Sequence, residues 1–157
     1  MSSSRTPLLL DTSFILPAFG VSLNETVDKA LKTLSELKGV KVYYSTFNLL
    51  EALLVVAREL RKGLLKADEA EESVESGTLT TVTNLYKASE PPQIYSTAFK
   101  LYALGHGDMF DNLLYSVALT NNIKLLTIDQ EFREFIKSRK LKDVTVTPKK
   151  LFGNQPR

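Results

Sequence analysis

A chain of 157 residues with 43% hydrophobic content is the size of one domain around a single substantial core, which leaves little room for two independent ones. Cysteine is absent, so disulfides and thiolate metal sites are excluded; any metal would rest on oxygen ligands or the single His106, which favours Mg²⁺ or Mn²⁺ over zinc. The net charge of +2 is too weak to announce a nucleic-acid binder, but the cations are bunched, with Arg133, Lys137, Arg139, Lys140, Lys142, Lys149, Lys150 and Arg157 in the C-terminal quarter and Arg58, Arg61, Lys62 and Lys66 in a second group.

Residues 1–7 are mostly polar and read as a flexible tail, as do residues 152–157 at the other end, with one domain across 1–157. The apolar run Leu8-Leu9-Leu10 fits a buried strand and stops at Asp11, far short of a signal-peptide core or a membrane span. A soluble, cytoplasmic chain with no membrane partner is therefore expected. Ser22 and Glu25 have the spacing of a capping box, and Val27, Ala30, Leu31, Leu34 and Leu37 repeat at helical spacing until Gly39. Val40 to Tyr44 has strand composition, followed by Ser45 or Thr46 as N-cap of a helix running from about Phe47 to Gly63. Ala67 to Ser76 is helical and acidic. Gly77 to Ser89 fits either a strand or a helical continuation, and its apolar spacing leans to helix. Pro91-Pro92 marks a break, Ile94 to Leu104 a helix ended by Gly105, and Asp108 to Thr120 a helix capped by Asp108. A strand at Ile123–Ile128, a short helix at Glu131–Ser138 and a last strand at Val144–Val146 complete the pattern. Strands alternating with helices predict an α/β fold, a three-layer α/β/α sandwich on a mostly parallel sheet.

Asp11 and Asp129 each occur where an apolar strand runs out, the edge at which open α/β sheets bind ligands. An Asp after a strand also commonly starts a turn or caps a helix, and either role would explain one such residue. Glu51 interrupts a nearly continuous apolar run from Leu49 to Ala57, where an uncompensated carboxylate must protonate, pair or bind metal, unless it lies on the helix's one exposed stripe. Asp111 shares a helical face with Leu114 and Ala118 and so should face inward. Asp108, one turn earlier, is explained by its cap role and is a further candidate acid. Clustered carboxylates repel unless cations lie between them, which points to a metal site able to activate water and neutralise charge on a phosphodiester. His106, between two glycines, reads as a flexible loop residue rather than a base or ligand.

In order, Leu8-Leu9-Leu10-Asp11-Thr12-Ser13, Ser45-Thr46-Phe47-Asn48-Leu49-Leu50-Glu51, Asp111-Asn112-Leu113-Leu114-Tyr115-Ser116-Val117-Ala118 and Leu125-Leu126-Thr127-Ile128-Asp129-Gln130-Glu131-Phe132 resemble the PIN-domain family. That family includes the toxin ribonucleases of bacterial and archaeal toxin–antitoxin pairs. The resemblance spans nearly the whole chain, leaving Ala67 to Pro92 and Gly105 to Asp108 unmatched. It implies a parallel α/β/α sandwich, an acidic Mg²⁺ or Mn²⁺ pocket of Asp11, Glu51, Asp111 and Asp129, and hydrolysis of RNA. It also implies homodimers and, for a toxin, a cognate antitoxin; Ser13 and Thr127 match hydroxyl positions that support the acids. The expected activity is metal-dependent endoribonuclease action, with Arg133 and Lys137 contributing RNA affinity. A housekeeping RNA-processing nuclease and a non-catalytic RNA-binding module on the same fold are the alternatives. An aspartyl phosphatase is disfavoured because Ser13 stands where a second Asp would be, and no glycine-rich phosphate loop is present.

Overall fold

A computed structural model describes residues 6–153. Five parallel strands, β1 (Leu8–Leu10), β2 (Val42–Tyr44), β3 (Tyr86–Lys87), β4 (Lys124–Leu126) and β5 (Thr145–Val146), form one sheet in the order β3-β2-β1-β4-β5. Around it are α1 (Glu25–Glu36), α2 (Thr46–Arg61), α3 (Ala67–Asn84), α4 (Gln93–Ala103), α5 (Met109–Asn121), α6 (Gln130–Ser138) and α7 (Pro148–Phe152). Strand side chains alternate between faces, so β1 feeds two cores. Leu8 and Leu10 join Val27 and Ala30 of α1 and Ala52 and Val56 of α2, whereas Leu9 joins Ile94, Leu114 and Phe132 of α4, α5 and α6. All three β1 leucines are buried because both faces are covered, which is why the strand reads as an unbroken apolar run. The α/β/α sandwich expected from the sequence is the observed architecture.

Local details differ from the expectation for identifiable reasons. The N-cap of α1 is Asn24, whose side chain accepts from the Val27 backbone N–H at 3.0 Å; Ser22 lies outside the helix. The helical continuation expected over residues 77–89 holds as far as Asn84, through residues 78–83 where a strand was the alternative, and the two-residue strand β3 then follows. Gly77 lies inside α3, where glycine costs roughly 1 kcal/mol relative to alanine. Its absent side chain makes room for Phe19, since a Cβ at Gly77 would stand 2.4 Å from Cγ of that buried ring. Sequence periodicity does not register this contact because Phe19 belongs to a 3-10 turn far away in the chain.

At the C-terminal end, the expected tail gives way at residue 152 to α7, with Phe152 packed against the core. The Pro7 carbonyl likewise accepts from the Lys124 backbone N–H at 3.2 Å. The remaining tail residues, 1–5 and 154–157, lie outside the described residues. No described helix is long and apolar enough to cross a membrane.

Candidate active site

The chain leaves β1 toward β2 on one side and leaves β4 toward β5 on the other, so the sheet reverses its strand order between β1 and β4. A crevice at the carboxyl ends of two such strands is the usual ligand position in an open α/β sheet. Asp11 follows β1 here and is 8% exposed. Its Oδ1 accepts from the Thr12 backbone N–H at 2.7 Å and its Oδ2 from the Thr127 hydroxyl at 2.9 Å. The same hydroxyl accepts from the Asp129 backbone N–H at 3.0 Å, so Thr127 ties together the acids that follow both strands. Asp129 also caps α6 through Oδ1, which accepts from the Phe132 N–H at 3.0 Å. The ordinary capping role and a place at the acidic crevice thus coexist in one residue.

Glu51 is positioned by the start of α2. Ser45 is the N-cap, and the Asn48 Oδ1 accepts from the Ser45 backbone N–H at 2.8 Å. The Asn48 amide nitrogen donates to the Leu10 carbonyl at 3.0 Å and to the Thr12 hydroxyl oxygen at 3.1 Å. One fully buried amide therefore fastens α2 to the end of β1, and Glu51 is carried one turn farther along the same helix face. Glu90 completes the junction by accepting from the Ser45 hydroxyl at 3.0 Å and the Thr46 N–H at 2.7 Å. Glu51 Oε1 is buried with no hydrogen-bond partner. Asn48→Leu should remove three hydrogen bonds and leave the Leu10 carbonyl unpaired, costing about 3 kcal/mol in urea unfolding.

Asp108 caps α5, accepting from the Phe110 and Asp111 N–H groups at 3.0 and 3.2 Å. Asp111 then points inward, its side chain 12% exposed and its Oδ2 3.9 Å from His106 Nε2. His106 departs from the flexible-loop expectation. Its Nδ1 donates to Asn112 Oδ1 at 2.8 Å, the Asn112 amide nitrogen donates back to the His106 carbonyl at 2.9 Å, and the ring lies 4.8 Å from Phe132 and 5.0 Å from Phe135 between centroids. Flanking glycines suggested freedom; aromatic packing and Asn112 remove it. The spacing of His106 and Asn112, six residues apart across a helix start, was the available signal, but a pairing between a loop and a helix has no fixed period.

The other sequence candidates are distributed unevenly. Ser13 makes no side-chain hydrogen bond among the described residues, whereas its neighbour Thr12 accepts from Asn48 and acts on the Glu51 carboxyl. Arg133 donates through Nε to the Thr145 hydroxyl at 3.4 Å and faces Asp143, which keeps it at the β5 edge. Lys137 is exposed in the last turn of α6.

Electrostatics show that the acids feel one another. Burial, opposed by the Thr127 hydrogen bond and reinforced by Glu51 and Asp129, pushes the Asp11 pKa up to about 6. Burial, with the charges of Asp11, Asp108, Asp129 and Glu51, pushes Asp111 up to about 9. Burial also raises Glu51, with the Thr12 hydroxyl opposing it. Among the described residues no three acidic or histidine side chains are drawn in around a common ligand point. The carboxylates are within reach of each other's charge yet stand apart, as mutually repelling groups do. An all-oxygen set, raised pKa values and a buried unpartnered Glu51 oxygen together fit a hard divalent cation, which Asp11, Glu51, Asp111 and Asp129 would hold.

Three solved structures share this architecture. VapBC2 from Rickettsia felis, bound to a promoter DNA fragment, is 16% identical with a TM-score of 0.59, covering 90% of this chain and 98% of that one. FitAcB from Neisseria gonorrhoeae is 19% identical at a TM-score of 0.58, covering 90% and 97%. VapC20 from Mycobacterium tuberculosis, a toxin that cleaves the sarcin-ricin loop, is 14% identical at 0.61, covering 87% and 97%. At these identities the structural likeness shows the fold alone. No curated protein sequence matches the chain. The PIN domain family model matches residues 8–137, which include β1, β4 and all four candidate acids, and the chain belongs to the PIN domain family.

Proposed function

We propose that this protein is a metal-dependent endoribonuclease of the toxin type, with Asp11, Glu51, Asp111 and Asp129 holding Mg²⁺ or Mn²⁺ and RNA as its substrate. The observation that carries this is that four acids, following β1 and β4 and early in α2 and α5, lie within reach of one another's charge, one of them with a buried oxygen that no protein group satisfies. A bound divalent cation supplies positive charge against a phosphodiester in reaction and lowers the pKa of water. The protein's own groups set the geometry. Thr127 fixes Asp11 relative to Asp129, Asn48 fixes α2 and hence Glu51, and the Asp108 cap turns Asp111 inward beside His106. Membership of the family and the likeness to toxin–antitoxin structures support a cognate antitoxin, a homodimer and a cytoplasmic setting for a single-domain protein across 1–157.

The test is cleavage of a single-stranded RNA by the purified chain after chelation and re-addition of Mn²⁺ or Mg²⁺. Cleavage should vanish in EDTA and return with either ion. Undiminished cleavage in EDTA would remove the metal; no cleavage, together with no saturable Mn²⁺ binding by calorimetry, would leave a binding module.

A further inference from the structure

The second cationic group of the sequence has its own place in the structure. Glu51, Leu54, Arg58 and Arg61 fall on one stripe of α2, and a groove of about 480 Å³ runs along it. Glu51 and Asp108 line the groove's acidic part, Arg58 and Arg61 its basic part, and the Phe110 side chain another wall. We propose that this groove is the track of the RNA strand, in which Arg58 and Arg61 bind phosphates flanking the one that is cleaved. This rests on the ribonuclease assignment and goes beyond it by naming how the substrate is held.

Three observations support the assignment. Arg58 acts electrostatically on the Glu51 carboxyl, so the basic wall and the acidic centre belong to one continuous surface. Its Nε donates to the Leu54 carbonyl at 3.3 Å, which directs the side chain along its own helix and leaves its other nitrogens for a ligand. Neither arginine is in an ion pair among the described residues. A strand whose reacting phosphate lies among carboxylates is repelled there and needs fixed cations beside them. At 1.5 Å of rise per residue, Arg58 and Arg61 stand roughly 10 and 15 Å along the helix axis from Glu51, where the neighbouring backbone would pass. Guanidinium forks match phosphate oxygens, and Phe110 adds an aromatic surface suited to a base. Arg133 and Lys137 do not line this groove.

The test compares the parent with the Arg58→Ala/Arg61→Ala double variant and with Arg58→Lys/Arg61→Lys. In Mn²⁺, the alanine pair should raise KM for single-stranded RNA by about tenfold and lower kcat far less, with the salt dependence of kcat/KM shallower by about one to two powers of salt concentration. The lysine pair should recover most of the loss, which a merely structural role would not predict. Both side chains are exposed, and matching melting curves will show that the folds are equal. Anisotropy of a labelled RNA in EDTA reads binding without cleavage, so a parent that binds but never cleaves defeats the ribonuclease assignment while weaker binding by the alanine pair still upholds the track. Unchanged RNA affinity and salt slope in that pair would overturn the proposal. So would competition by a poly-glutamate peptide that depends on both arginines while RNA binding does not, since the groove would then take an acidic peptide.

Discussion

Replacing Asp11 by Asn, or Glu51 by Gln, is expected to lower RNA cleavage in saturating Mn²⁺ by about a thousandfold or more while leaving the fold intact. Each change removes ligand charge with little change in shape. Asparagine at position 11 keeps one oxygen for the Thr12 N–H and presents an amide to the Thr127 hydroxyl, so the β1/β4 junction loses little. Removing a buried charge offsets part of what is lost, because burial disfavours the ionised form of Asp11. Glutamine at position 51 forfeits no hydrogen bond at Oε1, which has none. Steady-state kinetics over a Mn²⁺ and Mg²⁺ series, alongside thermal melting, separate the two effects. Parent-like cleavage by both variants would mean that the acids at the crevice do not hold the reacting centre.

The stability of the metal-free protein should fall as pH rises. Asp11 is raised from 3.8 to about 6 and Asp111 from 3.8 to about 9, in both cases chiefly by burial. The folded chain therefore retains protons that the unfolded chain has released, and stability is greatest below about pH 4 as far as these groups go. It declines through pH 6 for Asp11 and onward to about 9 for Asp111. At roughly 1.4 kcal/mol per pH unit, Asp11 alone accounts for a decline of about 3 kcal/mol by neutral pH. Asp111→Asn abolishes its share, so in EDTA at pH 8 the variant should be at least about 1 kcal/mol more stable than the parent while losing activity. Mn²⁺ should raise the parent's Tm by binding the native state and raise the variant's much less. Melting scans from pH 5 to pH 9, with EDTA and with Mn²⁺, read all of this. A strongly destabilised Asp111→Asn, with no Mn²⁺ response in either protein, would make Asp111 a structural group.

Two of the candidate acids stand out in the sequence by violating local expectation and two by their position at strand ends. Glu51 breaks an apolar helical run, Asp111 lies on an inward face, and Asp11 and Asp129 end apolar strands. Their supports were less legible. Asn48 and Glu90 look like ordinary polar residues near helix ends, yet Asn48 ties α2 to Leu10, 38 residues away in sequence, and Glu90 holds the helix start at Thr46 from 44 residues away. His106 looked free because glycine on either side signals local flexibility, and only the rings of Phe132 and Phe135, brought over by α6, hold it beside Asp111. Ser13 is the support expected from sequence and Thr12 is not, yet the 3-10 turn after β1 buries Thr12 and leaves Ser13 partly exposed.

By itself the sequence determined the periods: apolar runs short enough for buried strands, amphipathic spacing for helices, and hence a parallel sheet covered on both faces. Those signals are local, arising from side chains a few residues apart, and a chain carries them before it folds. The strand order β3-β2-β1-β4-β5, the approach of residues 11, 51 and 129 to within reach of the charge of residue 111, and the groove that Arg58 and Arg61 share with Glu51 were decided only by tertiary structure. They depend on contacts between residues distant in sequence, whose stabilisation exists only once β1 and β4 lie side by side and Asn48 has closed α2 onto them.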